Sequence, residues 1–228
     1  MSEQKPFRVE VEIDADFDAV WRSLREAEEI GRWFGWDYEG LAEEIRFIFE
    51  EGSEVVERGR LRSLEGDQTI ELERRGRRTV VRVVCPESLE GAGWDEIYDE
   101  TEEGWRAFFE QLRFYLERHR GEERRTLFLA GDASGPELTA ALDERAPGAV
   151  WHASRHQRGV LVEAGGAGLV IAKTQKPLAA EEISRANVLI TAYGLDDERY
   201  GRLRSDWEPW WQGFAANTKV LPAAEATA

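Results

Sequence analysis

Arg58-Gly59-Arg60-Leu61, followed by Gly66 and Ile70, recurs as Arg158-Gly159-Val160-Leu161, followed by Gly166 and Val170. Asp95-Glu96-x-Tyr98 and Trp105-x-x-Phe108-Phe109-x-x-Leu112 recur in the same order as Asp197-Glu198-x-Tyr200 and Trp207-x-x-Trp210-Trp211-x-x-Phe214. The offset drifts only from 100 (Arg58 to Arg158) to 102 (Trp105 to Trp207). Self-similarity at a fixed spacing marks a repeated architecture, and two copies are too few for a solenoid. The chain therefore reads as a duplicated domain, each copy ending in a helix with an aromatic face.

Two modest cores fit within 228 residues. The net charge of −16 repels phosphate backbones and argues against a nucleic-acid partner. Arg74-Arg75-Gly76-Arg77-Arg78 is a local exception, but Gly76 at its centre and alternating segments on both sides make it a solvated hairpin tip. No apolar run approaches the roughly 20 residues that cross a bilayer. Met1-Ser2-Glu3-Gln4-Lys5 lacks the pattern of a signal peptide, so a cytoplasmic protein without membrane insertion is expected. Cys85 is the only cysteine, which excludes an internal disulfide and a thiolate metal cluster.

Phe7, Val9, Val11 and Ile13 alternate with charged residues, the period of a half-buried strand. Asp16 is placed to cap a helix through Trp21 and Leu24, and a second short helix is expected around 28–34. Four strands are predicted next, at 44–50 with Ile45, Phe47 and Phe49 on one face, and then at 54–64, 68–74 and 77–85. Short Gly-bearing connections make them antiparallel. Trp105, Phe108, Phe109, Leu112 and Leu116 share one face of a closing helix. Phe114 lies off that stripe beside Ala107 and Gln111.

The second half predicts a strand at 126–130, a Ser134-Gly135-Pro136-Glu137 capping box opening a helix to about Arg145, and strands at 150–157, 160–164, 169–174 and 187–193. A last helix carries Tyr200 to Phe214, and Pro209 should kink it or end its first segment. Too few residues follow Arg120 for a full copy of the first half's opening. The expected organisation is thus a domain over 1–120, a truncated repeat over 121–218 packed on the first, and a disordered tail over 219–228.

This order is that of an α+β helix-grip fold, a curved antiparallel sheet wrapped around a long C-terminal helix. Phe17-Asp18-Ala19-Val20-Trp21, Ile30-Gly31-Arg32-Trp33-Phe34 and Glu103-Gly104-Trp105-Arg106-Ala107-Phe108-Phe109-Glu110-Gln111-Leu112 resemble the SRPBCC, or START-like, superfamily. Within it they are most similar to the AHSA-type branch, named for the C-terminal domain of the heat-shock chaperone ATPase activator. The resemblance implies a cavity between sheet and helix for a small hydrophobic molecule. No catalytic motif unites the family, so the fold transfers further than any activity.

Under that resemblance Trp33, Phe34 and Trp36 stand at the pocket mouth, Trp105, Phe109 and Leu112 form the floor, and Phe47 is a further ligand-binding candidate. Each of these also fits plain core packing. Glu57 faces inward if Val55 and Leu61 do, where it could orient a ligand or act as a base; a bulge would turn it outward. Tyr98 and Tyr200 read as structural hydrogen-bonding groups. His152 and His156 share a strand face but have no third ligand at metal spacing. Gly165-Gly166-Ala167-Gly168 precedes a strand rather than a helix and so reads as a hairpin turn instead of a phosphate loop. Cys85 sits among valines as a small apolar residue, and no Gly-x-Ser-x-Gly elbow is present.

The leading expectation is a non-catalytic binder of a small apolar or aromatic ligand, with no cofactor or metal. An aromatase/cyclase-like enzyme on a similar ligand is the alternative, and it requires a polar group in the cavity. A third reading is a module for a chaperone, another protein partner or a homodimer.

Overall fold

The computed structural model describes residues 6–64, 68–86, 100–162 and 168–222. The chain forms two compact units, one of Met1–Gly35 with Gly40–Arg120, the other of Trp36–Glu39 with Gly121–Ala228. Each is α+β, with one antiparallel sheet and one long helix following its strands. Among the described residues no helix is long and apolar enough to cross a membrane.

In the first unit β1 (Phe7–Ile13) alternates buried and exposed residues along its whole length, as its period-2 sequence requires. Asp16 caps α1 (Phe17–Ser23), its Oδ1 accepting the Ala19 N–H at 2.9 Å. α2 (Ala27–Gly31) follows, then α3 (Leu41–Ile45), which continues as a π-helix over Arg46–Glu51. β2 (Ser53–Glu57), β3 (Arg60–Ser63), β4 (Thr69–Arg75) and β5 (Arg78–Cys85) complete a sheet of order β1-β5-β4-β3-β2. The arginine cluster is the β4–β5 hairpin tip, with Gly76 at φ 64°. α4 (Glu100–Arg118) packs on β1, and Glu117 near its end accepts the Asp14 N–H at 2.9 Å.

The strand expected at 44–50 is helical. Leu41, Ile45 and Phe49 recur every four residues, so two of the expected strand residues, Ile45 and Phe49, also satisfy a helical face. The π turn closes where the Gly52 N–H donates to the Phe47 carbonyl at 2.7 Å. A Cβ at Gly52 would lie 2.3 Å from that oxygen, so glycine ends the helix here.

In the second unit β6 (Arg124–Ala133) leads to α5 (Gly135–Arg145), which opens with the expected Ser134/Glu137 capping box. β7 (Ala149–Ala153), β8 (Gln157–Leu161), β9 (Leu169–Thr174) and β10 (Ser184–Tyr193) follow, then α6 (Asp197–Phe214) and β11 (Ala216–Leu221). The sheet order is β11-β6-β10-β9-β8-β7. One face carries Leu127, Leu129, Val170, Val188 and Ile190 against Leu138 and Leu142 of α5 and Leu203, Trp207 and Trp211 of α6.

Three expectations are corrected in this unit. The 150–157 segment is a hairpin rather than one strand, because the Ser154 hydroxyl accepts the Gln157 N–H at 3.1 Å and supports a tight turn. His152 therefore lies on β7 and His156 in the turn. α6 runs through Pro209, which sits on the exposed face where the freed carbonyl can be hydrated, while buried Leu203, Trp207 and Trp211 hold the other face. Order also continues past Lys219, since Lys219, Val220 and Leu221 pair with Ala130, Leu129 and Phe128 on the open edge of β6. Residues 223–228 lie outside the described residues.

Candidate functional site

The inward face of the first sheet is defined by its register. Val9 opposes Val83, Val83 opposes Ile70, Ile70 opposes Leu61, and Leu61 opposes Val55. The first four are buried, whereas Val55, on the edge strand, is half exposed. Among the described residues of this unit, Phe47, Val56 and Leu64 are the other large apolar side chains left open. Gly52 ties two of their backbones together, donating to Phe47 O at 2.7 Å and accepting from Leu64 N at 2.8 Å. This end of the sheet is an apolar shelf.

Behind the shelf stands an aromatic cluster. Trp33 and Phe34 follow α2, Phe49 comes from the π-helix, and Trp105, Phe108 and Phe109 come from α4. Ring centroids lie 4.7 Å apart for Phe34–Phe108, 5.1 Å for Phe34–Phe49, 5.4 Å for Trp105–Phe109 and 5.9 Å for Trp33–Phe49. Such edge-on and tilted packing suits aromatic quadrupoles. Trp33 donates its indole N–H to Ser23 O at 2.7 Å, which fixes the ring at the base of the cluster. Trp105 donates to Gln68 Oε1 at 3.0 Å, and Gln68 in turn pairs with Ser63 next to Leu64. The indole–carboxamide contact is thus the polar element where cluster meets shelf.

Of the residues that the sequence singles out, Trp33, Phe34, Trp105, Phe109 and Leu112 come together in the buried centre of the first unit, with Phe47 at its open rim. Glu57 does not join them. A β-bulge between Val55 and Glu57 sets Glu57 opposite Arg60, which alternates with inward Leu61, so its carboxylate faces solvent. Trp36 belongs to the second unit, where its ring stacks on Phe128 at 4.2 Å and 11°. Val55 is not separable by sequence pattern from buried strand positions; its exposure follows from β2 being the last strand of the sheet, whereas Leu64 lies just past the end of β3.

The four-residue segment Trp36–Glu39 is anchored by a reciprocal pair. Asp37 N–H donates to Thr126 Oγ1 at 2.6 Å, and Thr126 N–H donates to Asp37 Oδ2 at 2.7 Å. Arg124, almost fully buried, lies 3.8 Å from Asp37; burial lowers its pKa, and the Asp37 charge opposes that shift. Tyr200 donates to Thr126 O at 2.7 Å, and burial raises its pKa, so it serves as a structural hydrogen bond rather than a proton carrier. Tyr98 lies outside the described residues.

Charge is concentrated on the opposite, solvent face of the first sheet. Arg82 bonds Glu73 at 2.6 Å and Glu10 at 2.9 Å, and Arg78 bonds Glu12 at 2.7 Å. The Arg8 hydrogen bond holds the Glu10 carboxyl below its ordinary value, and Arg82 does the same for Glu73. Among the described residues no group of three or more His, Cys, Asp or Glu side chains is placed to hold a metal ion.

No family model and no curated protein matches the chain. Solved structures similar to it include DynU16 from the dynemicin biosynthetic locus, at 18% identity over 92% of this chain and 97% of that one, with a TM-score of 0.34. Two di-domain ARO/CYC proteins are similar at 13% identity: StfQ of the steffimycin biosynthetic pathway, over 92% of this chain and 98% of that one with a TM-score of 0.32, and BexL of the BE-7585A biosynthetic pathway, over 93% and 99% with a TM-score of 0.33. At these values the similarity assigns no residue a role.

Proposed function

We propose that the first unit belongs with the START-like helix-grip proteins that its sequence resembles and binds a small apolar or aromatic molecule on the Phe47, Val55 and Leu64 shelf. The observation that carries this reading is that Val55, at an inward-facing register position, stays 47% exposed, while Phe47 and Leu64, whose backbones meet at Gly52, are 51% and 57% exposed. Soluble proteins leave such groups of large apolar side chains open mainly where something binds. Phe108, the partly exposed ring of the aromatic cluster, offers a flat ligand a polarizable contact, and the Trp105–Gln68 pair offers one point of polar orientation.

Binding without chemistry is favoured because neither an indole nor a carboxamide exchanges a proton at neutral pH. Glu57, the carboxylate that a catalytic reading would use, faces the other side of the sheet. Native mass spectrometry after incubation with a panel of neutral aromatic compounds tests both points. A bound compound recovered unchanged in mass supports the reading; one recovered with loss of water would make the chain an aromatase/cyclase-like catalyst instead.

A further inference from the structure

The inward face of the first sheet changes character one step beyond the apolar row that ends in Val55. Val55, Leu61 and Ile70 pair across β2, β3 and β4. Two residues further along each strand, and so on the same face, stand Ser53, Ser63 and Gln68. Ser53 pairs with Ser63, and the Ser63 N–H donates to Gln68 O at 2.9 Å, which carries the ladder on to Gln68. All three residues are half-buried, and none is charged. An apolar row with an open end is therefore bordered by a neutral polar one.

The hydrogen-bonding groups of that row are used unequally. Ser53 Oγ donates to Phe49 O at 2.7 Å. Gln68 Oε1 accepts the Trp105 indole N–H at 3.0 Å. An indole nitrogen only donates, so the carboxamide must turn its oxygen to Trp105 and its NH2 group away. Among the described residues nothing accepts from Gln68 Nε2, and this nitrogen is not sealed from solvent. The neighbouring Ser63 hydroxyl is also open, but a hydroxyl donates or accepts and so discriminates nothing. The amide nitrogen can only donate.

We propose that Gln68 is the specificity-determining residue of the first unit, selecting a neutral apolar molecule whose ketone or ether oxygen accepts from Nε2 while its hydrocarbon body covers the row ending in Val55. This inference rests on the reading of Phe47, Val55 and Leu64 as a ligand shelf. A ligand of the same shape without the oxygen would strip water from the amide N–H and return no acceptor, which weakens its binding. A carboxylate would find no cation in this row to offset the loss of its own water.

The test titrates the full chain with 2-acetylnaphthalene and with 2-isopropenylnaphthalene, in which a methylene replaces the ketone oxygen at nearly the same shape. The unaltered chain should bind the ketone about tenfold more tightly. Gln68→Glu can still accept from Trp105 but has no N–H to give, so it should remove that preference. Gln68→Leu, which adds no charge, should do the same. Phe47→Ser should weaken both probes alike and keep the preference. Equal affinity of the unaltered chain for the two probes, or a preference that survives both Gln68 variants, would overturn the role of Gln68 and leave the shelf standing. If neither probe binds saturably the inference falls, and the shelf falls with it only where the neutral dye Nile red also fails to bind the same chain.

Discussion

The two long helices repeat one aromatic spacing, yet the surroundings use it differently. Trp105 and Phe109 of α4 and Trp207 and Trp211 of α6 are all buried, and the third members, Phe108 and Trp210, are partly exposed in both. In the first unit these rings meet other rings, from Trp33, Phe34 and Phe49. In the second unit they lie on an aliphatic sheet of leucine, valine and isoleucine, and Trp211 donates to Ala130 O at 2.9 Å. α4 also buries a second stripe of Glu103, Ala107, Glu110 and Phe114, whereas α6 buries one stripe only. One helix motif can therefore serve as the wall of an aromatic cluster or as a plain lid, and the difference comes from what precedes the strands. Only the first copy has the α2–π-helix segment that brings three aromatic rings to the helix.

The largest expected effects test whether both helices carry core residues of equal weight. Phe109→Ala and Trp211→Ala should each cost about 3–5 kcal/mol in urea unfolding. A loss below 1 kcal/mol in either, by the same cited scale, would show that its burial here is not matched by packing in solution. Next is Asp37→Ala, which removes the reciprocal pair with Thr126 and the carboxylate near buried Arg124. It should cost about 3 kcal/mol, and an unchanged urea midpoint would remove the 36–39 segment from the second unit's stability.

The glycines of the repeat sharpen the comparison further. Gly59 has φ 93° in the β2–β3 turn, and a Cβ there would lie 2.7 Å from Phe17. Gly159 lies within β8, where its nearest neighbour would be His152 Cβ at 3.4 Å, an ordinary contact. Gly59→Ala should cost about 2 kcal/mol and Gly159→Ala less than about 0.5 kcal/mol. Equal effects would mean that the two Arg-Gly motifs occupy equivalent backbone positions after all.

The smallest effect is electrostatic and belongs to the first sheet. Glu10 and Glu73 have folded pKa values below their ordinary 4.5. Above pH 4.5 both states are ionised and the stabilisation is fully present. As pH falls below 4.5 the unfolded chain takes up protons first, so stability is lost until the folded carboxylates protonate too. The urea midpoint should decline across that acidic window, and Arg82→Gln should flatten the decline. A midpoint that rises with acid would contradict the sign. These pairs are exposed, so the slope should be shallow and salt-sensitive.

How much of this was legible in sequence differs between helix and strand. The helix repeat matches burial at its first three positions, because helical period and aromatic size point the same way, and departs at the fourth, where Leu112 is buried and Phe214 partly exposed. The strand repeat misleads by one residue. Leu61 pairs with Ile70 and Val160 pairs with Val170, so Leu61 corresponds to Val160, and the shared Arg-Gly letters fall out of register. Ile45, Phe47 and Phe49 fit a strand period, whereas Leu41, Ile45 and Phe49 fit a helical one; only packing decides between them, and it turns Phe47 outward. Trp36 could be recognised as a special aromatic, but its place over Phe128 depends on a pairing 89 positions away, Asp37 with Thr126. Local pattern carries no signal for such a pairing. Glu57 was undetermined for a similar reason, since one bulge reverses its side.

The central claim is that the exposed end of the first sheet is a ligand shelf rather than an incidental patch. The most direct test is titration of the neutral dye Nile red into the full chain, comparing Phe47→Ser and Val55→Ser with Val150→Ser and Ile183→Ser. The control residues are equally apolar and exposed at 58% and 66%, but lie in the second unit. The account predicts saturable binding that the shelf variants weaken by about tenfold and the controls leave unchanged. Loss of binding shared equally by all four variants, or by none, would contradict it.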